Sequence, residues 1–323
     1  MTVSTVARMF RSGWAMVLVG WVGLSGCSGL ATNAIADALS GTGTTFSGDN
    51  DPEFVEDAVP FGLKTMEAVL EETPEHQGLL LSLASGYTQY AAAFLAQEAD
   101  FIDEDEPDEA DHLDARARNL YLRARTYGFR ALEARHEGFR EALKSSPEAL
   151  RAELSAEDVP YLYWTAAPWA LYIASGKLGP ESIAELEPVT RLGTWMLELD
   201  PDWGEGAVQA FWMQLEFSRP GGSMDQVETY YRRAVELGGG LRAGPHVGLA
   251  ETVCKQQQDV IRFHELLDRA LAIDVDALPE SRLENVVMQR RAKWLKSREE
   301  ELFLIPLEEA LEARTSTTVE GQP

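Results

Sequence analysis

From Asp51 onward the apolar positions recur every three to four residues, as at Phe61, Met66, Val69 and Leu70, which is the period of a helix that buries one face. No convincing two-residue alternation appears, and neither Asn-Gly nor Asp-Gly, the strongest hairpin turns, occurs. The pattern predicts an all-α fold. Asp51-Pro52-Glu53 reads as a helix start, with Asp as N-cap and Pro at the first helical position, and Thr73-Pro74 closes that helix. Leu79 to Ala96 is apolar on most sides and is expected to be deeply buried. Further helices are expected over 115–132, 137–143, 147–154, 160–176, 180–199, 206–217, 224–237, 245–257, 260–273 and 282–296, with Pro168 expected to kink the fourth of these. The run Gly238 to Gly244 lacks the Lys-Ser/Thr of a phosphate loop and follows no strand, so it reads as a helix–helix turn.

Helix ends recur at Leu199, Leu237 and Ile273, at intervals of 38 and 36 residues. This is close to the tetratricopeptide (TPR) period of about 34 residues. Tyr231/Ala234 and Leu267/Ala270 place a large residue three before a small one, where facing helices must approach closely. About four repeat-like pairs predict a TPR-like α-solenoid of antiparallel helix pairs, with an ordinary helical bundle as the plain alternative.

The first 26 residues read as an address. Arg8 and Arg11 precede an apolar run, Trp14 to Leu24, with no acidic residue before Asp37. That run of eleven is too short to span a bilayer and right for a signal-peptide core. It leads into Leu24-Ser25-Gly26-Cys27, which looks like a bacterial lipobox, so Cys27 is the expected lipidation site. Ser28 after it suggests the outer membrane, by resemblance to enterobacterial sorting. The expected organisation is a signal peptide over 1–26, a flexible tether over 27–50, a helical domain over 51–312 and a disordered tail over 313–323.

Charge and composition exclude several functions. With 28 Lys and Arg against 53 Asp and Glu, the formal charge of −25 repels phosphate backbones and argues against nucleic-acid binding. Residues 98–114 carry ten acids and no Lys or Arg, yet lack the glycine a calcium loop needs, and read as a solvated insertion. His136-Glu137 and His264-Glu265 begin like a zinc motif, but neither has the second histidine one turn on. No metal site, cofactor or catalytic constellation is expected, and Cys254 reads as a small buried apolar residue.

The aromatic segment Pro160 to Gly176 is followed by Trp195, Trp203, Phe211 and Trp212. Core packing between repeats is one reading. The other is the wall of an apolar pocket or channel, because Tyr and Trp suit half-wet apolar surfaces. Tyr161, Trp164, Trp169, Tyr172, Trp195 and Trp212 are the candidate lining residues.

An ordered set of segments resembles the TatT family, the T components associated with TRAP transporters. It comprises Asp49 to Asp100, Trp195 to Gly206, Ser218 to Gly222, and Leu283-Glu284-Asn285 through Arg291-Ala292 to Leu302-Phe303. The resemblance implies a periplasmic lipoprotein of cryptic TPR-like pairs, a homotrimer, and a hydrophobic pore in each protomer. It also implies docking of a TRAP periplasmic solute-binding protein and handling of a hydrophobic or organic-acid ligand. A TPR-type envelope scaffold that binds proteins and no small molecule is the alternative.

Overall fold

The computed structural model describes residues 25–41, 43–176 and 180–320. The apolar leader run of the expected signal peptide lies outside the described residues, as does the side chain of Cys27. Every described element is helical, and no strand occurs among the described residues. In chain order the main helices are α1 Ser25–Ser40, α2 Gly43–Ser47, α3 Pro52–Glu72, α4 Gln77–Ile102 and α5 Pro107–Arg135. They continue with α6 Phe139–Ser145, α7 Pro147–Glu153, α8 Val159–Ala174, α9 Pro180–Leu199 and α10 Trp203–Ser218. The last are α11 Met224–Leu237, α12 over 244–257, α13 Val260–Leu271, α14 Arg282–Ser297 and α15 Leu307–Glu320.

Local chemistry sets many of the boundaries. The Asp51 carboxylate accepts from Phe54 N at 3.0 Å, with Pro52 at the first helical position, so α3 starts where its capping sequence says. Asp259 caps α13 in the same way at Arg262 N, 3.0 Å. Glu133 near the end of α5 accepts from the backbone N–H groups of Gly138, Phe139 and Arg140 at 2.8–3.1 Å. Those are the orphan donors at the start of α6, so one side chain ties two helices together. Gly239 and Gly240, at φ of 61° and 72°, turn the chain after α11 in a conformation that a side chain disfavours.

Successive helices pack side by side: α4 along α5, α5 along α8, α8 along α9, and α10 along α11. Helix α4 is long and apolar enough to cross a bilayer, but half of that stretch is buried between α3, α5 and α8, and it serves here as a core helix. Helix α8 runs through Pro168 without interruption. One core gathers Phe139, Leu162, Leu192 and Met196; a second gathers Phe263, Leu267, Val253 and Cys254. Cys254 is fully buried there, and burial pushes its thiol up to about 12, so it packs as an apolar residue. Where α10 meets α11, a Cβ on Gly206 would stand 2.8 Å from Ala234 O, so the approach needs a small residue on each side.

The chain curls until its last helices meet its first. Helix α14 packs on α2 and α3. Arg282 Nη1 donates to Gly48 O at 2.8 Å, Arg290 pairs with Glu98 at 3.1 Å, and Arg291 pairs with Asp100 at 2.6 Å. Arg298 pairs with Glu104, and the rings of Phe101 and Trp294 lie 5.3 Å apart. This corrects the expectation for the acidic segment. It is not an insertion, since α4 runs through Ile102 and α5 begins at Pro107; Glu98, Asp100 and Glu104 answer arginines nearly 200 residues away, while the acids from Asp103 to Asp114 are exposed to solvent.

The ends of the chain also carry structure. Residues 27–50, expected as a tether, include α1 and α2, with Ala36 fully buried and Ser82 Oγ donating to Ser40 O at 3.1 Å. Helix α15 continues to Glu320, past the expected start of a tail at 313; residues 321–323 lie outside the described residues.

Candidate functional site

Between the first and last helices the curled chain encloses a cavity of about 610 Å³. That is within the roughly 300–1,000 Å³ of small-molecule sites. The space exists because small residues face it. Gly62 of α3, Ala92 and Ala93 of α4, and Ala207 and Ala210 of α10 leave room that larger side chains would fill, while Gly86 of α4 lets Leu63 of α3 pack against the helix beside the cavity. Over Ala91–Ala96 helix α4 widens into a π-helical stretch, a feature frequent at functional sites, and Ala92, Ala93 and Phe94 of that stretch line the cavity. Tyr163 and Trp164 of α8 and Trp203 of α10 form an aromatic wall. Tyr163 lies 5.0 Å from Trp164 and 4.9 Å from Trp203, ring centre to ring centre.

The lining is mainly apolar, with Ser47, Ser82, Ser85, Gln89 and Gln97 as uncharged polar members, and its charged residues, Arg242, Glu205, Glu280 and Glu284, form one pole. Arg242 Nη1 donates to Glu284 Oε2 at 2.8 Å, and Nη2 donates to Glu205. Burial opposes the Arg242 charge, but Glu284 and Glu205 more than offset it, and its pKa lies above the ordinary arginine value. Burial holds the Glu284 carboxyl above the usual carboxylate range, against the pull of Arg242. Protein surrounds Glu284, yet 42 % of its side chain is accessible, so that surface faces the cavity. Tyr163 belongs to the same electrostatic neighbourhood: burial, then Glu284, pushes its hydroxyl up to about 12.

Two backbone devices present this pole. Asn285, fully buried on α14, accepts from Ala243 N and donates to Leu241 O, both at 2.8 Å. It thereby grips the chain on either side of Arg242 and aims that side chain inward. Glu205 sits between Gly204 and Gly206 with all three residues at positive φ. Its own φ of 52° is a conformation that costs a non-glycine residue roughly 1–3 kcal/mol. The strain falls on a residue whose carboxylate meets Arg242.

The family model of the TRAP transporter T-component matches residues 48–303. An uncharacterized protein of Treponema pallidum (strain Nichols) is 32 % identical over 270 residues, covering 80 % of this chain and 82 % of that protein. The chain belongs to the TRAP transporter T-component family. The family is one of transporter components, not of enzymes. Among the described residues, no group of three or more His, Cys, Asp and Glu is placed to hold a metal ion.

In this T component the six aromatic candidates do not form one wall. Trp164 lines the cavity; Tyr161, Trp169, Tyr172, Trp195 and Trp212 pack elsewhere. Trp169 is buried edge-on to Phe129 at 5.5 Å and donates its Nε1 to Glu185 at 2.7 Å. Trp212 donates to Gly193 O at 2.8 Å, and Trp195 lies in the same core beside a surface groove with Arg191 and Arg219. Tyr161 and Tyr172 lie beneath the guanidinium groups of Arg135 and Arg118, each 4.5 Å from the ring centre. The reason is helical geometry: residues on α8 alternate between its cavity face and its faces toward α5 and α9. Tyr163, Trp203 and the charged pole were not among the candidates. The Gly-Glu-Gly run at 204–206 was the available signal for Glu205, since glycines flanking a charge mark an unusual turn.

Proposed function

We propose that this T component is a lipid-anchored periplasmic accessory of a TRAP transporter that docks the solute-binding protein and handles an apolar or amphipathic ligand. Lipidation at Cys27, after removal of residues 1–26, would hold it at a membrane, with the outer membrane as the proposed location. A TPR-like solenoid, resting on helix spacing and family resemblance, and a homotrimer, resting on family resemblance alone, complete the proposal. The observation that carries the ligand role is the apolar cavity enclosed where the last helices close on the first. A scaffold that binds proteins alone has no need of it.

Two variants, one capture experiment and a light-scattering measurement test the proposal. The intact protein, isolated from envelope extracts, is expected to bring a TRAP-type solute-binding protein with it, identified by mass spectrometry. Recovery of envelope-assembly proteins without that partner would favour the scaffold reading. Ala210→Trp, which fills the cavity from α10, is expected to keep the partner and abolish ligand uptake. Cys27→Ala is expected to release the protein from the membrane fraction; unchanged fractionation would refute lipid anchoring. Light scattering is expected to report a trimer, and a monomer would remove that part of the proposal.

A further inference from the structure

The cavity has an apolar body and one charged end, so a ligand that fills it is discriminated by what its head offers that end. Three carboxylates, on Glu205, Glu280 and Glu284, face one guanidinium, on Arg242. Arg242 already gives its terminal nitrogens to Glu284 and Glu205. Negative charge is therefore in excess at the pole. An anionic head would meet these carboxylates at short range, and Arg242 would have to leave two partners to receive it. A cationic head meets the opposite situation. The aromatic wall is close to this pole: the Glu284 charge acts on Tyr163, which packs on Trp203 at 4.9 Å and on Trp164 at 5.0 Å, and all three rings line the cavity. Carboxylates beside electron-rich aromatic faces are the combination that recognises organic ammonium groups. The chain's net charge of −25 further raises the local concentration of cations.

We propose that the cavity binds an amphipathic cation, with an apolar tail among Gly62, Gly86, Ala93 and Ala210 and a primary ammonium head at Glu205, Glu280 and Glu284 against Tyr163 and Trp203. This rests on the ligand-chamber reading above and replaces the organic acid expected from family resemblance with an organic cation. The raised pKa of Glu284 is consistent with it, because burial leaves that carboxylate short of compensating charge, which an arriving ammonium supplies. The device at Asn285 gains a purpose in this account. It fixes Arg242 between two carboxylates, so that both terminal nitrogens are engaged by Glu284 and Glu205 and only the Nε–H, which is buried, has no partner.

Three probes with the same tail separate head from tail: decylamine, decanol and decanoate, titrated calorimetrically at pH 7.5 into the intact protein below their aggregation thresholds. Decylamine is expected to bind at least tenfold more tightly than decanoate, with decanol between them. Glu284→Gln and Glu205→Gln keep the shape of the pole and remove one charge each. Each is expected to weaken decylamine about tenfold and leave decanol unchanged. Decanoate binding as tightly as decylamine, or amine affinity indifferent to both variants, would overturn the cationic head while leaving the chamber standing. Failure of all three probes, decanol included, would overturn the chamber itself and this proposal with it. The amine-to-acid ratio in the unaltered protein decides the matter even if a variant fails to fold.

Discussion

His246 makes the stability of this protein depend on pH in a way that can be worked out from the structure. It is 5 % exposed on α12, and its Nδ1 lies 2.8 Å from the hydroxyl of Tyr231. The positive charge of Arg269 acts on both side chains, which disfavours a second positive charge on the imidazole. Burial, aided by the charge of Arg269, lowers the imidazole pKa from 6.5 to about 4. Between those values the unfolded chain takes up a proton that the native ring refuses. Stability is therefore complete above pH 6.5 and falls as the pH is lowered toward 4. At 1.36 kcal/mol per unit the whole loss is about 3 kcal/mol, and most of it is reached by pH 4.5. His246→Gln keeps an acceptor for Tyr231 and cannot titrate. Urea unfolding of both proteins at pH 7.5, 6.5, 5.5 and 4.5 gives the test. Other carboxylates titrate over the same range, but they do so in both proteins. The unaltered protein should lose about 2–3 kcal/mol more than the variant between pH 7.5 and 4.5. Parallel stability profiles would refute the reasoning, since they would mean that the native ring accepts its proton without cost.

Two further predictions concern packing and the pole. At the crossing of α5 and α8, a Cβ on Gly128 would stand 2.4 Å from Thr165 Oγ1 and 2.9 Å from Thr165 Cα. The backbone of α8 cannot swing aside as a long side chain would, so Gly128→Ala should destabilise the protein by about 1–3 kcal/mol, read as a lower urea midpoint. An unchanged midpoint would mean the crossing can open. Asn285→Ala removes both hydrogen bonds that grip the Leu241–Ala243 segment. It should cost about 2 kcal/mol through buried backbone groups left unpaired and should weaken decylamine binding as Arg242 loses its aim. Stability lost with amine affinity intact would separate Asn285 from the binding pole.

The local grammar of this chain was legible in its residues, because it depends on neighbours a few positions apart. The three-to-four period set an all-helical fold; Asp51 and Pro52 set a helix start; the glycines at 238–240 set a turn. Family membership was legible too, carried by ordered segments that include Glu205, Glu284 and Asn285. What those residues do was not legible. Glu205 meets Arg242 from 37 residues away and Glu284 meets it from 42, and nothing in the linear spacing announces either contact. The pairing of Glu98 and Glu104 within the acidic stretch 98–114 was hidden for the same reason, since their arginines lie nearly 200 residues downstream, in and just after α14. The aromatics misled in the other direction. A run of Tyr and Trp within one helix points to several faces at once, and only the packing of α5 and α9 against α8 decided that Trp169 and Tyr172 turn away from the cavity while Trp164 turns toward it. Periodicity fixes that a helix has a buried face. Whether that face meets another side chain or an enclosed space is decided when the two ends of the chain close on each other.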